Sequence, residues 1–173
     1  RFATDHQWGT FYSVGGAWIF SDEKFIKNAI GSWFTHGKLR SSYGVTGNDK
    51  IDDYSYMTKY STCTYPYEGN VGLYVNQLGN ETLKWEETSK FDIGLELGFL
   101  TDRIVFNTSF YNNRSTNLLN NGYLPSQSGF SSMKSNLDAA VDNRGWEFEL
   151  NTVNIKTNDF SWTTNFNISF PKN

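Results

Sequence analysis

The sequence predicts an all-β chain of antiparallel strands, either one wall of a transmembrane β-barrel or part of a soluble sandwich. Two alternating runs and the composition carry this reading. In 91–99, Phe91, Ile93, Leu95, Leu97 and Phe99 alternate with Asp92, Gly94, Glu96 and Gly98, the period of two that gives a strand one apolar face. In 104–110, Ile104, Phe106 and Phe110 oppose Asn107 and Ser109, and a polar turn around Thr101–Asp102 joins the two runs into a hairpin. Aromatic residues reach 17% while charged residues stop at 19%, a mixture that suits an alternating sheet with one apolar side and a polar interior.

The remaining elements follow in order. Residues 1–10 are polar and turn-like, and a first strand is expected over about 11–20, with Tyr12, Val14, Trp18 and Phe20 on one face. Ser21-Asp22-Glu23-Lys24 resembles a helix start, and Phe25, Ile26, Ala29 and Ile30 predict one or two helical turns before Gly31. A second strand covers about 38–47, with Leu39, Tyr43 and Val45 opposite Lys38, Arg40 and Ser42. A long irregular connection over 49–83 carries a series of tyrosines, and connections of this length are usually functional. The hairpin supplies strands over about 86–100 and 103–113, and a second long connection, rich in Asn, Ser and Gly, runs to about 133. A strand over 134–152 changes parity between Val141 and Trp146, which predicts a β-bulge within Asn143–Trp146 with Gly145 as its tolerant position. A final strand over 160–170 sets Phe160, Trp162, Phe166, Ile168 and Phe170 against uncharged polar residues.

Connection lengths favour the barrel over the sandwich. Short turns (100–103, 153–159) alternate with long loops (49–83, 112–133), as on the two rims of an outer-membrane barrel. Several strands approach the roughly 9–11 residues that cross a bilayer at a tilt. Trp18, Phe20, Phe99, Tyr111 and Trp162 sit near strand ends, where interfacial girdles lie. No apolar window is long enough for a membrane-spanning helix, which says nothing against a barrel.

Nothing points to catalysis, a cofactor or a metal. Glu147 and Glu149 face one side of a strand, a spacing that resembles a glycosidase carboxylate pair. The reading preferred here is solvated lumen residues, together with Lys38, Arg40, Asp92 and Glu96. Asp49, Asp52 and Asp53 lack the glycine and closing glutamate of a calcium loop and are expected to form a polar turn. His6 and His36 are isolated, Cys63 is the single cysteine, and a net charge of −3 argues against a nucleic-acid partner. Four Asn-x-Ser/Thr matches are expected by chance in an Asn-rich chain. The tyrosines of 49–83 are the functional lead, because a flat ring with a hydroxyl suits sugars and protein interfaces.

Longer motifs add a family resemblance. Phe11-Tyr12-Ser13 with Ala17-Trp18-Ile19-Phe20-Ser21-Asp22-Glu23 is similar to the SusC-like, RagA-like TonB-linked outer-membrane transporters of Bacteroidota. So are Lys38-Leu39-Arg40-Ser41-Ser42-Tyr43-Gly44-Val45-Thr46-Gly47-Asn48, Leu78-Gly79-Asn80-Glu81-Thr82-Leu83-Lys84-Trp85-Glu86-Glu87-Thr88 and Asn143-Arg144-Gly145-Trp146-Glu147. The resemblance implies about six strands of a 22-stranded barrel, with the plug domain, the TonB-contacting region and the remaining strands outside this chain. It implies residence in outer-membrane lipid and import of oligosaccharides or peptides with a SusD-like lipoprotein lid. Tyr54, Tyr56, Tyr60, Tyr65 and Tyr67 then become candidate lid or ligand contacts. The alternative is a soluble β-sandwich that binds carbohydrate.

Overall fold

A computed structural model describes residues 1–30 and 33–173. Its strands are β1 (Tyr12–Trp18), β2 (Phe34–Asn48), β3 (Lys59–Thr62), β4 (Leu73–Gln77), β5 (Glu86–Phe99), β6 (Ile104–Thr116), β7 (Leu118–Tyr123), β8 (Ser132–Leu137), β9 (Val141–Lys156) and β10 (Ser161–Lys172). β1, β2, β5, β6, β9 and β10 form one sheet in that order, while β3 pairs with β4 and β7 with β8. A short helix, α1 (Lys24–Ile30), lies between β1 and β2. The expected helix stop at Gly31 lies outside the described residues. The chain divides into two compact units.

One unit holds the sheet: Tyr12–Val45, Ser89–Arg114 and Val141–Asn173. Its ladders place apolar residues opposite one another: Tyr12 with Val45, Val14 with Tyr43 and Trp18 with Leu39, then Phe166 with Leu150, Ile168 with Phe148 and Phe170 with Trp146. These side chains stay largely exposed, Phe166 at 55% and Phe170 at 57%. A continuous apolar face of this kind requires a non-aqueous neighbour. Rings cluster where β1 ends, β2 begins and β5 ends. Phe20 stacks on Phe34 at 6.0 Å, Phe34 meets Phe99 edge-on at 5.6 Å, and Trp33 stacks on Phe99 at 5.6 Å.

The hairpin turn is backbone-strained. Leu100, Thr101 and Asp102 have φ of 55°, 59° and 59°, left-handed values that disfavour a Cβ but match the twist of the flanking strands. The Leu100 N–H donates to the Trp33 carbonyl at 2.7 Å and the Thr101 N–H to Thr35 Oγ1 at 2.8 Å.

The structure revises three sequence expectations. The second strand begins at Phe34 rather than 38. The expected strand over 134–152 is two: β8 ends at Leu137 in a different sheet, and β9 begins at Val141. Val141 and Trp146 both belong to β9, five residues apart and so on opposite faces of an unbulged strand, and no bulge occupies Asn143–Trp146 on the β10 side, where Arg144, Gly145 and Trp146 pair one-to-one with Lys172, Pro171 and Phe170. The register shifts at Trp162/Thr163 instead, where Asn154 is the extra residue and Ile155 is returned to the face of Trp162. Gly145 answers a packing need: a Cβ there would lie 2.8 Å from the Tyr111 hydroxyl. Tyr111 thus lies on the polar face rather than in an outward girdle.

The other unit comprises Arg1–Phe11, Thr46–Thr88 and Ser115–Ala140. Phe2 and Leu83 are its buried apolar side chains, at 4% and 0% exposure. Trp85 stacks on Phe2 at 5.3 Å and meets Phe11 edge-on at 5.4 Å. Arg1 pairs with Asp49 at 2.7 Å and Asp53 at 3.1 Å. The hydrogen bonds that the guanidinium donates to these carboxylates, Asp53 foremost, hold it above its ordinary range, so two of the three clustered aspartates are already engaged. The two connections expected to be irregular each contain a hairpin, β3–β4 and β7–β8.

Candidate functional site

The polar face of the six-stranded sheet gathers all six charged residues expected there. Alternation places Lys38 and Arg40 of β2 beside Asp92 and Glu96 of β5. Arg40 Nη1 lies 2.5 Å from Asp92 Oδ1 and its Nε 3.6 Å from Glu96, while Lys38 Nζ lies 3.4 Å from the same Glu96 oxygen. Glu147 and Glu149 of β9 have neutral partners instead. Ser109 Oγ donates to Glu147 at 3.3 Å, Asn107 Nδ2 to Glu149 at 3.3 Å, and Asn151 Nδ2 to Glu149 at 2.8 Å. Neither carboxylate forms an ion pair among the described residues. Between these groups lies an open recess of about 470 Å³, bordered also by Asn167 and Ser169 of β10. The wall can hydrogen-bond a polar solute or protein surface along its length. It brings no nucleophile to a general base among the described residues.

The tyrosines lie in the other unit and do not form one patch. Tyr65 and Tyr67 project at 88% and 79% exposure near the tip of β3–β4. The tip closes through mutual backbone bonds of Tyr67 and Asn70 at 3.0 and 2.9 Å, with Glu68 and Gly69 at positive φ, a primed hairpin turn. Tyr60 on β3 and Tyr54, itself at φ 59°, are also exposed, whereas Tyr56 is half-buried. Sequence reasoning missed Tyr123 at the end of β7, 92% exposed.

Side chains from the long shared motifs tie the two connections together. Asn136 on β8 accepts the Lys84 N–H at 2.8 Å and donates to the carbonyls of Lys84 at 2.9 Å and Asn117 at 2.8 Å. Its amide thereby replaces a missing strand partner. Asn80 Nδ2 donates to the Lys134 carbonyl at 3.0 Å, and its Oδ1 accepts from the N–H and hydroxyl of Thr82. Glu86 accepts the Leu119 N–H at 3.2 Å and an Asn48 amide hydrogen at 3.4 Å. Gly79 packs against the backbone of Tyr56–Thr58, where a Cβ would overlap main-chain atoms. These contacts set the shape of the two connections.

Residues 1–172 match the family described as TonB dependent receptor-like, beta-barrel. TonB-dependent receptor P39 of Formosa agariphila is 34% identical over 173 residues, covering 100% of this chain and 16% of that protein. TonB-dependent receptor SusC of Bacteroides thetaiotaomicron is 33% identical over 180 residues, covering 100% of this chain and 18% of SusC. The RagAB peptide importer in its open-open state superimposes with a TM-score of 0.87 at 29% identity, over 99% of this chain and 18% of that one. The chain therefore spans less than a fifth of the length of these relatives.

Proposed function

The chain belongs to the TonB-dependent receptor-like β-barrel family, and from that premise we propose that it forms six strands in the wall of an outer-membrane importer. The observation that carries the proposal is the division of one sheet into two faces. Apolar side chains line one side of its six strands, β1, β2, β5, β6, β9 and β10, and Lys38, Arg40, Asp92, Glu96, Glu147 and Glu149 line the other. In this reading the first face meets lipid and the second meets the lumen. The outer edges of β1 and β10 are unpaired among the described residues, and open edges are not tolerated in a bilayer. Both pair with further strands of the same barrel. Family membership displaces the soluble-sandwich alternative.

The finer reading concerns cargo and partner. With long loops outside and short turns in the periplasm, the 49–85 and 117–140 connections face the cell exterior. A SusD-like lipoprotein lid closes over them, cargo passes beneath, and TonB energises import through a region outside this chain. The cargo is an oligosaccharide or a peptide. The named cargo of the RagAB importer supports peptide, while uncharged tyrosine rings suit neutral sugars equally well. No step of bond-making or bond-breaking is assigned to the wall.

The test replaces Tyr54, Tyr56, Tyr60, Tyr65 and Tyr67 by Ala in the full-length protein, with insertion confirmed by heat-modifiable mobility. A lost aromatic contact is expected to weaken lid association or uptake by about 1–3 kcal/mol, by analogy with stacking on bases. Wild-type association and uptake together would remove these tyrosines from the site.

A further inference from the structure

Charge is unevenly distributed on the apolar face of the sheet. Along β10, Trp162 to Phe170 covers about 26 Å at roughly 3.3 Å per residue without a charged side chain on that face. The same holds for the matching stretches of β1, β2, β5, β6 and β9 within this unit. On the strands themselves charge on this face appears at one end, where β6 enters the 117–140 connection and β9 leaves it; at the other end Trp18 Nε1 donates to Glu23 of the β1–β2 connection at 3.2 Å. Lys172 pairs with Arg144 one step beyond Phe170 and Trp146. On the adjacent strand Arg114 lies 3.7 Å from Asp142. Neither Arg144 nor Lys172 forms an ion pair among the described residues, so within this unit three cations accompany one carboxylate, Asp142.

A cation on a lipid-facing wall is costly at mid-bilayer and nearly free at headgroup depth. The position of this group, directly past the Phe110–Trp146 contact at 5.1 Å, places it at that depth. Water alone would not require three cations on three neighbouring strands. Two guanidinium forks and an ammonium match the oxygens of a phosphate, and the adjoining rings offer a surface for acyl chains. We propose that Arg114, Arg144 and Lys172 form a docking site for the phosphate-bearing headgroup of an outer-leaflet lipid, whose chains lie along Phe110, Trp146 and Phe170. The inference rests on the reading above, in which this face meets lipid and the long connections lie outside.

The experiment uses the full-length importer, purified in detergent and titrated with phosphorylated lipid A and with its dephosphorylated form, bound lipid being counted by native mass spectrometry. Wild type is expected to prefer the phosphorylated lipid. The Arg144→Gln/Lys172→Gln variant should lose about thirtyfold in affinity for it, at roughly fivefold per cation near a membrane surface, and Arg114→Gln about fivefold. The dephosphorylated lipid should bind wild type and variants alike. Equal binding of the two lipids by wild type, or undiminished binding by the double variant, overturns the site. A fluorophore on Phe106→Cys, tested in bilayers with spin-labelled lipid, separates the causes. Quenching there together with no phosphate preference refutes the headgroup site alone, whereas no quenching refutes the membrane reading beneath it as well.

Discussion

Replacing Asn136 by Ala should release the two long connections from one another without touching the six-stranded sheet. The side chain makes three hydrogen bonds of 2.8–2.9 Å, two to Lys84 and one to Asn117. Each such bond contributes roughly 1 kcal/mol net. Lys84 is exposed, so water recovers part of the loss, and the expected cost is about 2 kcal/mol. Local opening should then become about thirtyfold more frequent. Hydrogen exchange in the full-length protein reads this directly at the Lys84 amide, whose acceptor is the Asn136 side-chain oxygen. Peptides from 78–85 and 132–137 should exchange faster, while those from β9 and β10 stay unchanged. Asn136→Asp keeps the acceptor but turns a carboxylate oxygen toward the carbonyls of Lys84 and Asn117, so it should open the connections at least as much as Ala. Unchanged exchange at Lys84 in the Ala variant would refute the argument that this amide stands in for a strand partner.

Four further outcomes are expected. Leu95→Arg places a cation on the lipid face and should cost about 2–4 kcal/mol, seen as impaired assembly by heat-modifiable mobility. Glu96→Gln on the polar face, which loosens only the half-exposed contacts to Lys38 and Arg40, should cost under about 1 kcal/mol. Gly79→Ala forces a Cβ into the backbone of Tyr56–Thr58 and should cost about 1–3 kcal/mol, opening 49–85 to protease on intact cells. Thr101→Gly relieves a β-branched residue at φ 59° and should raise the urea midpoint for unfolding, by roughly 1 kcal/mol.

The sheet was legible because a period of two is written into each long strand. Phe91 to Phe99 and Trp162 to Phe170 assign their faces before any pairing is known, and the polar partners Lys38, Arg40, Asp92, Glu96, Glu147 and Glu149 follow from the same alternation. The short hairpins were not legible. Leu118-Leu119-Asn120-Asn121-Gly122-Tyr123 is too polar and glycine-rich to announce β7, and its partner β8 is anchored by Asn136 and Asn80 contacts between residues about 50 apart in sequence. Counting parity through Asp138–Ala140 joined two strands of different sheets and misplaced the bulge. Interior neighbours of the wall glutamates were equally hidden, since Asn107 meets Glu149 only once β6 and β9 are paired. Tyrosine exposure depends on local backbone shape, so Tyr56 turned inward while Tyr123 stands free.

The central claim is that the two faces of this sheet meet lipid and lumen. It is tested most directly on β9 by placing a fluorophore at Glu147→Cys, Phe148→Cys, Glu149→Cys and Leu150→Cys in turn. The host is the full-length protein with Cys63 and any other cysteine replaced, reconstituted with spin-labelled lipid. Quenching should alternate, strong at 148 and 150 and weak at 147 and 149. Uniform quenching, or the opposite alternation, would contradict the account.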